Sequence, residues 1–507
     1  MQVSSNQRPC IASSIGGKSL ALLLLALCSS AVGADSDPAS SSRAPNIVLI
    51  LADDLGWDDV GYHGSEIRTP EIDALAAAGV TLGQFRSQPT CTPTRAALMT
   101  GKSPQRMGIY RQFAKNSTHG LPTTETTVAD YLGGAGYQTW LVGKWHLGHA
   151  AQKYLPTARG FDHFYGHVTG GIGYWDHVHG GGLDWQRNGL TLREEGYSTH
   201  LLTKEAIKLI QRRDQSRPFF LYASFNAPHL PNEAPAKTVE AYRHIENPHR
   251  RVHAAMVTEL DQGVGKIVAM LKQEGIFDNT LIWFMSDNGG LNRDAGMGGL
   301  ITLAETLQDW FGAPLPNTTL EFIRTNALEG GSSNGPFRFG KGSIYEGGVR
   351  VPSLVHWPAA LEPHHTQHIV TVQDVLPTLL SLIHSEIPNG LDGDNRLPVL
   401  AQRTAPPPSD FVTIGQNGAQ AFYRWPWKLI ADGEEYELYN LETDPYEARD
   451  LREAQSDQLA TLIQELASTP RAPTVHIPLY RVLWDPDFFG GEEDRPPWAD
   501  IIDSEQR

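Results

Sequence analysis

Asn46 to Leu51 reads NIVLIL, an apolar run without a polar break. Side chains along a strand alternate between faces, so an unbroken apolar run predicts a strand buried on both sides. Three further runs repeat it: Thr139 to Val142, Phe219 to Phe225 (FFLYASF) and Leu281 to Met285 (LIWFM). Helical patterns lie between them. Thr69 can cap a helix that has Pro70 at its first position and Gly79 at its close. Val252, Met256, Leu260, Val264, Ile267, Val268 and Leu271 recur at spacings that share one helix face before Gly275. Strands alternating with helices predict an α/β chain with a mostly parallel central sheet sandwiched by helices. No internal repeat is visible.

From about residue 405 the pattern shortens. Strand-like pieces at Phe411 to Ile414, Trp427 to Ile430 and Tyr436 to Tyr439 follow Pro406-Pro407-Pro408, and an amphipathic helix follows at Ser456 to Ala467. These predict a small C-terminal α+β subdomain with a tail over 405–507, behind a catalytic domain at 45–404. The first residues differ again. Arg8 and Lys18 precede Leu20 to Leu27, and Ala31-Val32-Gly33 has the spacing of a signal-peptidase site. A signal peptide over 1–33, a disordered leader over 34–44 and a secreted or periplasmic protein are expected. The apolar stretch is short for a membrane span, and bulky Leu27 before Cys28 argues against a lipid anchor. No later segment is apolar enough to cross a bilayer.

Composition narrows the function. At 40% hydrophobic and 19% charged the chain is globular rather than disordered. Its net charge of −16, which becomes −18 once Arg8 and Lys18 are removed, excludes a nucleic-acid binder. An anionic substrate must therefore meet a local cationic pocket. Export would also leave Cys91 as the one remaining cysteine of three, a thiol with no disulfide to form. A lone cysteine is usually a small core residue. Here Pro93, Arg95 and the helix-like Ala96-Ala97-Leu98-Met99 follow it, which suits an anion-handling nucleophile better.

Polar clusters follow the apolar runs. Asp53 and Asp54 come after NIVLIL; Lys144 and His146 after Val142; Asn226-Ala227-Pro228-His229 after FFLYASF; Ser286-Asp287-Asn288-Gly289-Gly290 after LIWFM. Ligands bind at the carboxyl ends of strands in open α/β sheets, so four such clusters predict one site. Asp53, Asp54, Asp287 and Asn288 offer hard oxygen donors, suited to Ca²⁺ or Mg²⁺ rather than zinc. Arg95, Lys144, His146, His229 and Lys341 could supply positive charge and proton transfer around an anion. Asp58 and Asp59 have no strand-end place and read as solvated. Trp175, Asp176 and His177 lie in a Gly-rich loop that could meet a sugar ring, although burial is the commoner fate of such an aromatic.

Cys91-Thr92-Pro93-Thr94-Arg95 matches the C-x-P-x-R signature of type I sulfatases, and Gly101-Lys102-Ser103-Pro104 continues it. The Asp53-Asp54, Gly143 to Gly148, Asn226 to His229 and Asp287 to Gly290 clusters stand in family order, and Glu437 to Pro445 resembles the family's closing element. The likeness runs over about residues 45 to 470. Leu155 to Asp162 looks most like the arylsulfatase B (N-acetylgalactosamine-4-sulfatase) branch.

The resemblance implies an alkaline-phosphatase-like sulfatase fold and hydrolysis of sulfate esters, on a sulfated glycan. It implies that a maturation enzyme converts Cys91 to formylglycine, whose hydrate attacks sulfur. Asp53, Asp54, Asp287, Asn288 and residue 91 would hold Ca²⁺, or Mg²⁺. Arg95 and Lys144 would steady residue 91 and the sulfate. Lys341 and His229 would contact the sulfate, one of them protonating the leaving alcohol, and His146 would take a proton from the second hydroxyl to expel sulfate. The chain departs from the family by an insertion at about 291–335, which includes an amphipathic stretch at Leu300 to Phe311 and reads as a substrate lid. A phosphodiesterase or phosphonate hydrolase of the same superfold, and a catalytically silent glycan-binding protein, are the alternatives.

Overall fold

The computed structural model describes residues 44–115, 117–179, 182–292 and 330–476. The expected signal peptide, the Leu300 to Phe311 stretch and the tail beyond residue 476 lie outside them.

A ten-stranded sheet runs in the order His364–Thr366, Val80–Leu82, Ser353–His356, Thr280–Ser286, Asn46–Ala52, Phe219–Ser224, Gln138–Lys144, His163–His167, Gln186–Arg187, Leu190–Thr191. The five strands from Thr280–Ser286 to His163–His167 are parallel to their neighbours. Thr280–Ser286 then meets Ser353–His356 antiparallel, which ends the parallel block.

The four apolar runs all lie in that block, and the observed strands extend one or two residues beyond three of them. The alternation is visible in the core. Ile47, Leu49 and Leu51 join one apolar cluster, and Val48, Ile50 and Ala52 join another on the opposite face. A slip of one residue would exchange the two sets, so burial on both faces fixes orientation without a polar side. His163–His167 (HFYGH) is also a parallel strand but has no apolar run, and its pairing with Gln138–Lys144 decides its place.

Two helices show how the covering layer is held. Pro248–Gln273 begins after Asn247, whose side chain accepts from the His249 and Arg250 amides, and its Met256, Leu260, Val264, Ile267 and Leu271 are buried. Pro70–Ala77 starts where expected, but Thr69 does not cap it. Its hydroxyl bonds Asp73, and Asp261 of the long helix accepts the Glu71 and Ile72 amides at 3.0 and 2.8 Å. The cap thus comes from across the layer and ties the two helices together.

The C-terminal sheet is Phe411–Ile414, Gln420–Arg424, Trp427–Asp432 and Glu435–Asn440, antiparallel throughout. Gln420–Arg424 is a strand the sequence pattern did not announce. One face shares a core with Ile344, Val349 and Ile369; the other packs on Leu462 and Leu466 of helix Ser456–Ser468. Between the sheets lies a closed charge cluster. Glu346 meets Arg86 at 2.8 Å and Lys428 at 3.1 Å, and Lys428 meets Glu447 at 2.6 Å, all four side chains buried.

Two readings of the sequence need correction. Asp59 is buried, not solvated: it accepts from Gly56, His253, Arg250, Ser332 and Ser333. It pins the stem that returns from the insertion to the loop after Asp54, while Asp58 is half-buried against Ser333. Trp175 is 49% exposed, so burial is not its fate.

Candidate active site

The parallel strands deliver their polar ends to one edge. Asp53 and Asp54 follow Ala52, Lys144 ends its strand, Ser224 ends another, and Asp287 follows Ser286. Register brings them level, since Ala52 pairs with Ser286 and Ser224 with Gly143. Close approach requires Gly143: at φ +117° its added Cβ would lie 1.8 Å from the Ser224 carbonyl oxygen.

Helix Cys91–Thr100 is entirely buried and begins at Cys91, so the first-turn amides open onto this edge. Pro93 fits because the first turn needs no internal amide bond there, and Gly101 at φ +65° ends the helix. The motif's other residues bind the site together. Thr92 donates to the His146 carbonyl (3.1 Å), and Thr94 donates to the Asp287 carbonyl (2.5 Å). Arg95 places Nε and Nη2 on Asp287 Oδ2 (3.1 and 2.9 Å) and Nη1 on Ser224 and the Lys144 carbonyl. It lies 3.6 Å from Asp53. Thr92, Thr94 and Ser224 were not singled out from the sequence, because hydroxyls acquire these partners only when the strands assemble.

The cluster is dense in charge. The Cys91 thiol donates to Asp53 Oδ1 (3.4 Å), and Lys144 Nζ stands 2.6 Å from Asp53 Oδ2. Lys341 Nζ is 2.6 Å from Asp54 Oδ2, and His229 Nε2 is 3.6 Å from the same oxygen. Asn288 donates to Asp54 Oδ1 (2.8 Å), and its own Oδ1 is buried with no partner in the described structure. Donor atoms of Asp53, Asp54, Cys91 and His229 all lie within 4.8 Å of one another. Asp287 is placed differently: Oδ2 serves Arg95, and Oδ1 accepts the Asp54 amide at 3.1 Å. Every residue predicted for the site is therefore at this edge.

Burial and neighbours set the protonation states. Burial pushes the Cys91 thiol well above its ordinary value, and it pushes Asp287 up to about 6, with Asp53 adding to the rise. At Asp54 burial is outweighed by Lys341, His229 and Lys144, which hold the carboxyl well below the usual range. At Lys341 burial is outweighed by Asp54, Cys91 and Asp53, which keep the ammonium charged. Burial and Lys341 pull His229 down to about 3, and burial and Lys144 pull His146 well below its usual value.

The two histidines are neutral in known tautomers. His146 Nε2 lies 2.9 Å from the Phe113 carbonyl and His229 Nδ1 lies 2.7 Å from the Leu230 carbonyl. A carbonyl only accepts, so those nitrogens carry the protons. Lone pairs remain on His146 Nδ1 and His229 Nε2, and His146 Nδ1 is buried without a partner. Asp54 and His146 also hold left-handed backbones, φ +65° and +56°, which non-glycine residues adopt rarely and often at functional sites.

The model of the sulfatase family matches residues 45–385. Mouse arylsulfatase J is 34% identical over 365 residues, which take in 70% of this chain and 55% of that protein. Human N-acetylgalactosamine-6-sulfatase is 32% identical over 427 residues, 77% of this chain and 74% of that one. The solved structure of Ps i-CgsB with k-i-k-neocarrahexaose superposes with a TM-score of 0.75 at 31% identity, over 88% of this chain and 98% of that chain. These relatives support a type I sulfatase and do not single out the arylsulfatase B branch.

Proposed function

The chain belongs to the sulfatase family, and from that premise we propose that it hydrolyses sulfate esters of a glycan at the Cys91 edge of the sheet. One observation carries the reading. Cys91 opens a buried helix beside Asp53 with Lys144, Lys341 and Arg95 around it, which supply the local cationic pocket that an acidic chain otherwise lacks, and with the neutral His146 and His229 beside them. Relatives named for N-acetylgalactosamine-6-sulfatase activity and solved with neocarrahexaose support a sulfated carbohydrate as substrate.

The family implies a divalent cation, and the residues fit one. Asp53, Asp54 and Asp287 crowd one edge, and the orphaned Asn288 Oδ1 faces no protein donor. Hard oxygen donors suit Ca²⁺, with Mg²⁺ the alternative; bound there with residue 91 completing the set, it would neutralise charge on the sulfuryl oxygens.

The family also implies formylglycine at position 91, installed by a separate maturation enzyme, and its hydrate offers two hydroxyls on one carbon. One hydroxyl oxygen loses its proton as it attacks sulfur and breaks the sulfur–oxygen bond to the sugar, so residue 91 releases one proton for the one the departing oxygen gains. Loss of the proton from the other reforms the carbonyl and releases sulfate. Lys341 and His229 stand on the Asp54 side to contact the sulfate, and Lys341, charged where His229 is neutral, gives the departing oxygen its proton. His146, with its lone pair on Nδ1, takes the proton in the second half. Lys144 and Arg95 hold Asp53 and Asp287 in place and steady residue 91.

The N-terminal pattern supports export to the periplasm or beyond, and among the described residues no helix is long and apolar enough to cross a membrane. The antiparallel sheet that starts at Phe411 supports a catalytic domain at 45–404 ahead of a C-terminal subdomain and tail at 405–507, and the length of the 291–335 insertion supports a lid role for it.

Purified protein given 4-nitrophenyl sulfate, 4-nitrophenyl phosphate and sulfated oligosaccharides tests the activity. Sulfate release from the first and from an oligosaccharide is expected. Turnover of the phosphate ester in preference to the sulfate would overturn the reading in favour of a phosphoesterase.

A further inference from the structure

The loop after strand His163–His167 runs Val168-Thr169-Gly170-Gly171, and its glycines face the two site histidines one apiece. A Cβ on Gly170 would lie 2.9 Å from His146 Cε1 and 3.0 Å from its Nε2. A Cβ on Gly171 would lie 3.0 Å from His229 Cε1 and 3.1 Å from its Nδ1. Each contact falls on the ring edge that carries the hydrogen bond fixing the tautomer, to Phe113 in one case and to Leu230 in the other. Neither glycine has a left-handed backbone, so alanine strains neither main chain.

The loop itself is anchored from behind. Buried Asp184 accepts the Val168 amide (3.0 Å), the Thr169 amide (2.8 Å) and the Thr169 hydroxyl. The Val168 carbonyl in turn accepts the His146 amide at 3.2 Å. Loop and histidine backbone are thus one bonded unit, and an added methyl group would displace a ring before it displaced the loop.

We propose that Gly170 and Gly171 are positioning residues that serve the two halves of the reaction separately. Bare Gly170 leaves His146 its bond to Phe113 and the free Nδ1 that expels sulfate from residue 91. Bare Gly171 leaves His229 its bond to Leu230 and the free Nε2 that faces the incoming ester. The proposal rests on the roles given to His146 and His229 above, and it goes beyond them by assigning a function to two residues that carry no chemistry of their own.

Four variants of the full chain test it: Gly170→Ala, Gly171→Ala, His146→Ala and His229→Ala. Three readouts are needed: kcat with 4-nitrophenyl sulfate, sulfate retained on the residue-91 peptide after a rapid acid quench, and ¹⁵N signals of the imidazole N–H groups. Gly170→Ala is expected to lower kcat roughly ten- to a hundredfold, as small misplacements of a catalytic group do, and to retain sulfate as His146→Ala does. Only the His146 Nε2–H signal should move. Gly171→Ala is expected to lower kcat without added retention and to move only the His229 Nδ1–H signal. If His146→Ala retains sulfate and Gly170→Ala does not, or if the two alanine-for-glycine variants behave alike, the inference fails and the function stands. If His146→Ala itself retains none, the role of His146 fails first. A large fall in melting temperature in either glycine variant would mean that the loop yielded rather than the ring, and would also overturn the proposal. Asp184→Asn, which loosens the anchor without adding atoms at either ring, should disturb both signals.

Discussion

Two of the buried charge clusters among the described residues are built to opposite ends. At the sheet edge three carboxylates, Asp53, Asp54 and Asp287, face Arg95, Lys144 and Lys341, while Asn288 Oδ1 and His146 Nδ1 stay unpartnered. Between the sheets, Arg86 and Lys428 face Glu346 and Glu447, and every charge has an opposite within 3.1 Å. An open cluster retains donors and acceptors for something that arrives; a closed one spends them on holding two pieces of chain together. Burial of charge therefore does not by itself mark a site.

The largest expected effects separate the two clusters. Cys91→Ala should reduce turnover of 4-nitrophenyl sulfate to background while leaving the urea midpoint nearly unchanged. Glu346→Gln should do the reverse: it strands Arg86 and Lys428 and should cost about 3–5 kcal/mol in urea unfolding, with kcat intact below the transition. If the site variant unfolded the protein or the cluster variant abolished kcat in folded protein, the division would break. Chelation comes next. Removing divalent cations should abolish activity and lower the melting temperature, and Ca²⁺ at a hundred times its dissociation constant should restore about 2.7 kcal/mol.

A buried carboxylate held by amides sharpens the comparison further. Burial pushes Asp261 up to about 7, above its ordinary value. A raised carboxyl stabilises the folded state at low pH and loses that contribution as pH rises toward and through about 7. Asp261→Asn keeps an oxygen for the Glu71 and Ile72 amides, so it should flatten that fall, by on the order of 2 kcal/mol between pH 5 and 8 in urea titrations. The smallest effect is expected at Trp175, whose exposure predicts a stability change within about 0.5 kcal/mol for Trp175→Ala by thermal melting.

The site was more legible than its supports. NIVLIL, FFLYASF and LIWFM are strands because they are almost wholly apolar, and polar residues at the ends of such strands must gather at one edge. Asp53, Lys144 and His229 could be found by that logic, and Cys91 as the lone cysteine of a C-x-P-x-R motif. Asp59 could not, because its partners come from the far helix (Arg250, His253) and the returning stem (Ser332). Strands such as His163–His167 and Gln420–Arg424 take their structure from pairing, since their own sequences carry mixed polarity. The Thr69 cap failed for a similar reason: Asp261, distant in sequence, was better placed for the amides. Local pattern announces what is decided locally, and cross-layer bonds decide the rest.

The central claim is that residue 91 works as a modified side chain rather than as a thiol. Peptide mass spectrometry across Pro89 to Arg95 on catalytically active protein tests it most directly. The mass of the aldehyde, or of its hydrate, is expected in proportion to activity. An intact cysteine in fully active protein would contradict it.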